Sequence, residues 1–189
     1  MTPFRRIVPT APVLAVLVAC APSVQQEIAI GNQAVAEINQ TMPVINDAAI
    51  QANLDGIVAP LRRVVGRDQL PWTFRIINSD QVNAFAVPGG HIYVFRGLIK
   101  RTNHYDELMG VIGHEMGHVE LRHSAEQMGQ ASAANTGVGL LYVLLGRQPG
   151  AGEQLALNVA AGAVFAKFSR DDEREADSVS VAYLTQAGV

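Results

Sequence analysis

The stretch that decides the fold is His114-Glu115-Met116-Gly117-His118, an HExxH pattern within an apolar run. On a helix, His114 and His118 project from one face, so their imidazoles can bind the same metal ion. Glu115 then lies beside the water that such a metal binds, which is the ligand-and-base arrangement of a zinc hydrolase. The alternative is two solvent-facing or hydrogen-bonded histidines on an ordinary helix.

The residues around the motif also predict a helix. Asn103 or Asp106 can cap its N-terminus. Apolar residues at three- and four-residue spacing indicate one buried side, and these are Leu108, Val111, Ile112 and Val119. Three glycines each weaken this helix by about 1 kcal/mol relative to alanine, and they are Gly110, Gly113 and Gly117. Either another helix or the site itself must approach the backbone closely there.

A zinc site needs a third protein ligand and leaves one position for water. His123 lies about half a turn away from His114 around a continuous helix, so we interpret it as a capping or hydrogen-bonding residue. Better candidates follow Ser169, which can cap a second helix, and they are Asp171, Asp172, Glu173 and Glu175. Spacing alone does not choose among them. The alternative is a solvated charged face paired with Arg170 and Arg174.

Glu173 and Asp177 are four residues apart and share one face of that second helix. One carboxylate can bind the metal while the other accepts a hydrogen bond from a ligand imidazole. Such a bond fixes the tautomer and the orientation of the ring.

Four segments, taken in order along the chain, resemble one known family. They lie at 27–31, 83–94, 114–124 and 169–177. The set resembles the gluzincin metallopeptidases of family forty-eight, which include the CAAX prenyl protease, HtpX and the BepA- and LoiP-like bacterial lipoproteins. The resemblance covers nearly the whole chain after its first twenty residues and implies a zincin-like fold.

The resemblance also implies roles for individual residues. His114, His118 and Glu173 are implied as ligands of one Zn²⁺ per chain, with Glu115 as the catalytic base. Asp177 is implied as the partner that orients a ligand histidine, His114. The implied substrates are unfolded or misassembled envelope proteins.

Short β-prone runs precede the motif at 74–77, 84–87 and 91–95, and Pro88-Gly89-Gly90 is a strong hairpin signal. Two opening helices are predicted over 23–40 and about 47–65. The fold class is therefore α+β, mostly helical, with a small antiparallel sheet. In the gluzincins an edge strand binds the substrate by strand addition, and the resemblance implies this for Asn83, Ala84 and Phe85. The alternative is a buried structural hairpin.

The N-terminal segment has the pattern of a bacterial lipoprotein signal. Arg5 and Arg6 precede an apolar run, and Leu17-Val18-Ala19-Cys20 resembles a lipobox. We expect cleavage before Cys20, the only cysteine, and lipid attachment there, which predicts a periplasm-facing protein of the outer membrane. An ordinary cleaved signal, or none, is the alternative. Residues 20–189 would then form one metallopeptidase domain.

Charge and the central apolar region limit the possible partners. Removing residues 1–19 removes two arginines and no acid, so the formal net charge changes from −3 to −5. Without a basic patch, nucleic acid is not an expected partner. The apolar segments within 131–165 are each too short to span a bilayer, so we predict a buried helical pair. The alternatives are contact with lipid or a plug over the active site.

Relatives continue beyond the helix that holds Asp177 and supply further active-site residues. The resemblance therefore implies either a truncated form or a site completed by a partner or a neighbouring copy. Within this chain, His91 is our candidate for an oxyanion donor. The predicted function is a zinc-dependent endopeptidase, and the alternative is a non-catalytic envelope chaperone or outer-membrane assembly factor on the same fold. The sequence does not indicate an oligomeric state.

Overall fold

The structure is a computed structural model that describes residues 22–126 and 168–189. The predicted signal segment, Cys20 and the apolar region 131–165 lie outside these residues. The elements are α1 (Val24–Thr41), α2 (Ala48–Arg62), β1 (Thr73–Ile77), β2 (Ala84–Val87), β3 (His91–Phe95), α3 (Arg96–Arg101), α4 (Tyr105–Glu120) and α5 (Arg170–Ala187). This composition confirms the mostly helical α+β class. Within the two described ranges, every helix is too short or too polar to cross a membrane.

Local capping signals account for the starts of three helices. Ser23 and Gln26 form a capping box at α1, and Asp47 caps α2. Ser169 and Asp172 form the corresponding box at α5. Each cap satisfies backbone N–H groups that the first turn of a helix leaves without a partner. These three starts agree with the sequence.

The start of α4 differs from the prediction. Its N-cap residue is His104, which makes no side-chain capping bond. The N–H of Asn103 instead donates to the Glu107 carboxylate at 2.9 Å. Asp106 lies inside the first turn, where the helix dipole favours a negative charge.

The sheet is mixed, so the predicted antiparallel sheet is wrong in one of its two pairings. The strand order is β1-β3-β2. Strands β2 and β3 form the predicted antiparallel hairpin, and Gly89 and Gly90 in its turn have φ of +86° and +90°. Strand β1 runs parallel to β3, with Thr73 opposite His91. The turn residues specify only the β2–β3 hairpin. The position of β1 depends on which edge of that hairpin allows the β1 side chains to be buried.

The two faces of the sheet pack against different helices. On one face of the sheet, Phe85, Val87, Tyr93 and Phe95 pack against Ile38 of α1. On the opposite face, Phe74, Ile92 and Val94 pack against Ile112 and Met116 of α4. Because successive strand residues point to opposite faces, the odd-numbered residues of β3 point to α1. The even-numbered ones point to the helix that carries the HExxH motif.

Two glycines allow α4 to pack closely on α5. A Cβ atom at Gly117 would lie 2.7 Å from the carbonyl oxygen of Ala176, and one at Gly113 would lie 2.8 Å from the Ser180 hydroxyl. At Gly110, no described atom outside its own helix would lie within 4 Å of such a Cβ. The structure therefore supports helix packing as the reason for Gly113 and Gly117. That packing places α5 directly beside the HExxH motif.

A buried ion pair connects α1 to the C-terminal end of α4. Arg67 donates two hydrogen bonds of 2.8 Å to Glu27, which is 1% exposed, and a third to the carbonyl of Val119 at 2.8 Å. The Nε atom of Arg122 lies 3.3 Å from the same carboxylate. Arg122 has a φ of 64° and changes the direction of the chain just after α4. This turn determines where the next residues lie.

Candidate metal centre

The two motif histidines and one carboxylate of α5 converge on a common point. The Nε2 atoms of His114 and His118 are 3.1 Å apart. The Glu173 carboxylate lies 3.3 Å from the first nitrogen and 3.9 Å from the second. Tetrahedral zinc with bonds of 2.0–2.1 Å separates neighbouring ligand atoms by about 3.3 Å. The spacing of these atoms therefore fits a single metal ion.

The proton positions also favour a cation at this point. His114 Nδ1 lies 2.8 Å from Asp177 Oδ1, and an ionised carboxylate only accepts hydrogen bonds. Nδ1 of His114 therefore carries the hydrogen, and its Nε2 presents a lone pair. That lone pair faces His118 Nε2 and the Glu173 carboxylate. This lone pair and the Glu173 carboxylate, 3.3 Å apart, repel one another unless a positive charge or a hydrogen lies between them.

The structure favours Glu173 among the four carboxylates that spacing left open. Asp171 turns towards a neighbouring arginine, and Asp172 takes part in the N-terminal cap of α5. Glu175 lies 3.4 Å from His123 Nε2. Among the residues that the structure describes, Glu173 is the carboxylate grouped with the two motif histidines as possible metal ligands.

His123 lies against His118 and outside the converging group. Its Nδ1 is 2.9 Å from His118 Nδ1, as expected for a hydrogen-bonding residue. The contact is possible because α4 ends at Glu120 and the chain turns at Arg122. Phe168 covers the other face of His118, with ring centroids 4.0 Å apart. No sequence pattern indicated this stacked ring.

Burial keeps His118 in its neutral form. Burial, together with the nearby His114 and His123 rings, lowers the pKa of the His118 imidazole to about 3. A neutral imidazole retains the lone pair that binds a metal.

Glu115 occupies a half-buried position where α4 faces strand β2. Burial raises the pKa of its carboxyl above the ordinary value, and the negative charge of Glu173 raises it as well. The His114 ring and the N–H of Ala86, which donates to the carboxylate, act in the opposite direction. A carboxyl group with a raised pKa is suited to accepting and releasing a proton near neutral pH.

Comparison with known proteins agrees with this geometry. Residues 48–189 match Peptidase family M48. The chain belongs to this family.

The chain covers a different share of each relative's length. The chain is 31% identical over 172 residues to the Beta-barrel assembly-enhancing protease of Yersinia pestis, which is 88% of this chain and 35% of that protein. It is 31% identical over 163 residues to Metalloprotease YcaL of Escherichia coli, which is 85% of this chain and 63% of that protein. It is 31% identical over 130 residues to the Mitochondrial metalloendopeptidase OMA1 of Schizosaccharomyces pombe, which is 67% of this chain and 37% of that protein. The chain thus spans about a third of the assembly-enhancing protease that it matches.

In this M48 domain, β2 is an edge strand of the described sheet. The Phe95 N–H donates to the Asn83 carbonyl at 3.0 Å. Because hydrogen-bonded and non-bonded pairs alternate along an antiparallel ladder, Phe85 also bonds to β3. Ala84 and Ala86 therefore direct their N–H and C=O groups to the free edge. The contact between the Ala86 N–H and Glu115 agrees with this alternation.

Two of the residues that we singled out from the sequence lie away from the centre. The Phe85 ring is buried and stacks on Tyr93 at 5.1 Å, on the α1 face. His91 points to that same face, with Nδ1 2.8 Å from the Thr73 hydroxyl. It therefore lies across the sheet from α4, and its expected role as oxyanion donor is not supported. A shift of one position along a strand moves a side chain to the other face of the sheet. The hairpin signal alone did not indicate which face His91 occupies.

Proposed function

We propose that this chain is a zinc-dependent endopeptidase of the bacterial cell envelope that hydrolyses unfolded or misassembled proteins. The observation that carries the proposal is the convergence of His114, His118 and Glu173 beside the half-buried carboxyl of Glu115, whose pKa is raised. Membership of Peptidase family M48 supports peptide hydrolysis. The names of the relatives, which include a metalloprotease and a β-barrel assembly-enhancing protease, support protein substrates.

Each residue of the centre has a distinct part in the proposed reaction. Zinc, when bound by His114, His118 and Glu173, supplies a Lewis acid for the water and the scissile carbonyl. Glu115 accepts the proton of the attacking water and then donates it to the leaving amine. Asp177 accepts the Nδ1 hydrogen of His114 and so keeps that ring oriented.

The free edge of β2 is the proposed peptide-binding surface. The outward N–H and C=O groups of Ala84 and the outward C=O of Ala86 can pair with an extended peptide, with Asn83 at the start of the strand. Main-chain pairing does not depend on side chains, so it suits loosely folded substrates of varied sequence. The Ala86 N–H contacts Glu115, which brings this edge next to the catalytic base.

We further propose that the chain is attached to the periplasmic side of the outer membrane by a lipid on Cys20. The support is the lipobox-like segment ending at this single cysteine. Mass spectrometry of Cys20-containing peptides from the membrane fraction tests the attachment. A diacylglyceryl adduct on Cys20 is the expected result, and an unmodified or absent Cys20 peptide in membrane-bound protein contradicts it.

Substitution of the catalytic base tests the enzymatic proposal. Glu115→Gln is expected to bind one zinc per chain as the wild type does, and to cleave an unfolded casein at less than about 1% of the wild-type rate. Glu126→Gln, at an exposed glutamate a short distance along the chain, is the matched control and should retain full activity.

One result would contradict the endopeptidase assignment, and another would contradict the role of Glu115. The first is zinc-loaded wild-type protein that does not cleave casein while it prevents the aggregation of an unfolded outer-membrane protein, which favours the chaperone alternative. The second is a Glu115→Gln protein with wild-type turnover, which excludes Glu115 as the base.

A further inference from the structure

The two histidine ligands have different partners at their second ring nitrogen. His114 Nδ1 faces the Asp177 carboxylate at 2.8 Å. His118 Nδ1 faces a third imidazole, with His123 Nδ1 at 2.9 Å. The far nitrogen of His123, Nε2, lies 3.4 Å from Glu175 Oε2. Two further side chains, His123 and then Glu175, are thus linked in series to Nδ1 of His118.

One placement of the ring hydrogens gives each contact in this series of side chains one donor and one acceptor. A neutral imidazole has one N–H donor and one acceptor nitrogen. His118 directs Nε2 at the ligand position, so its Nδ1 carries the hydrogen and donates to His123 Nδ1. His123 then carries its hydrogen on Nε2, which faces Glu175 as an acceptor. Asp172, at 4.0 Å, adds a second carboxylate on the same side.

Packing holds the rings of this chain in position. The side chains of His118 and His123 are 2% and 3% exposed. Phe168 stacks on His118 with an interplanar angle of 18°, and its centroid lies 5.9 Å from that of His123. The backbone of Arg122 is in the left-handed conformation, which turns the polypeptide so that His123 contacts His118. A buried ring with a stacked neighbour has little freedom to turn.

We propose that His123 is a positioning residue that fixes the tautomer and orientation of the metal ligand His118, with Glu175 as the outer acceptor. The inference rests on the proposed zinc site. Ligand histidines generally donate their second N–H to a carboxylate, a carbonyl or water. Here a neutral imidazole serves instead, so His118 is oriented without a third negative charge directly beside Glu173 and Asp177.

Zinc affinity, measured by competition with a chromophoric chelator at fixed neutral pH, tests this role. His123→Leu removes the acceptor and is expected to weaken zinc binding by about 10- to 100-fold. His123→Asn is expected to bind within a few-fold of wild type, because Asn Oδ1 can occupy the place of Nδ1 and accept from His118. The matched control is His104→Leu, at an exposed histidine, which should leave the affinity unchanged.

Nitrogen-15 NMR of the imidazoles gives a readout independent of activity. In zinc-loaded wild type, His118 should be protonated at Nδ1 and His123 at Nε2. A His118 resonance that keeps its tautomer and shift in His123→Leu, with unchanged zinc affinity, overturns the proposal. Equal loss of affinity in the Leu and Asn variants, together with lower melting temperatures of both metal-free proteins, also overturns it in favour of a structural role. Wild-type protein that binds no zinc instead refutes the proposed function itself.

Discussion

His114 and Asp177 lie on different helices, 63 positions apart, and their side chains meet with Nδ1 2.8 Å from Oδ1. The contact spans the interface of α4 with α5, which is closest at Gly117 and Ala176. Orientation of the His114 ring therefore depends on how closely two helix backbones pack.

Removing the charge of Asp177 is predicted to weaken metal binding without unfolding the protein. In Asp177→Asn the acceptor of His114 becomes a neutral amide, so we expect zinc affinity to fall by about 10- to 100-fold. Chelator competition provides the measurement. Asp171→Asn is the control, because Asp171 is exposed on the same helix and points away from the centre. Equal affinities in Asp177→Asn and wild type would show that this hydrogen bond does not orient His114.

Enlarging Gly117 is predicted to separate the two helices and reduce zinc affinity. In Gly117→Ala the new methyl group would lie 2.7 Å from the Ala176 carbonyl oxygen and 2.9 Å from its Cα, and these backbone atoms can move only with α5. Overpacking of this kind costs about 1–3 kcal/mol of the free energy of unfolding. Denaturant unfolding and zinc titration test both effects.

Gly110→Ala is the matched control for that substitution. No described atom outside its own helix would lie within 4 Å of the added methyl group. Alanine is the better helix former by about 1 kcal/mol, so Gly110→Ala should stabilise the protein or leave it unchanged. Equal effects of the two substitutions would contradict the packing explanation.

Strand addition at β2 predicts a periodic response to N-methylated substrates. The outward groups belong to alternate residues, Ala84 and Ala86. Methylating successive backbone nitrogens of a cleavable peptide should therefore reduce kcat/KM strongly at every second position on one side of the scissile bond, and weakly between them. The same scan on the Ala-substituted peptide controls for side-chain effects. Uniform losses along the peptide would contradict pairing at this edge.

Burial of His91 predicts a loss of stability on acidification. Burial lowers the pKa of His91 below its ordinary 6.5, so the unfolded chain takes up a proton that the folded chain does not. The contribution of His91 to the free energy of unfolding therefore falls as pH decreases through about 6.5, by at most about 1.4 kcal/mol per pH unit, and levels off below the folded-state pKa of this ring.

Urea unfolding of metal-free protein between pH 7 and pH 5 measures this contribution. His91→Asn, which can retain the hydrogen bond to Thr73, should show a smaller pH slope than wild type. His104→Asn, at the exposed histidine, should keep the wild-type slope. Identical slopes for His91→Asn and wild type would contradict the prediction.

Local chemistry made several elements predictable from the sequence. The capping boxes at Ser23 and Ser169 act over three residues, and the turn at Gly89 and Gly90 joins adjacent strands. The HExxH spacing places both imidazoles on one helical face by periodicity alone. Resemblance pointed to Glu173, which the residue spacing had left among four carboxylates.

The sequence by itself therefore determined the helix of the HExxH motif, the hairpin and the helix that carries the third candidate ligand, because these depend on hydrogen bonds and periodicity within a few residues. The tertiary structure alone decided that β1 runs parallel to β3, that His91 lies across the sheet, and that His123 meets His118. These features depend on which surfaces pack together and on one left-handed residue at Arg122. These long-range arrangements depend on burial and steric fit, which a local sequence pattern does not specify.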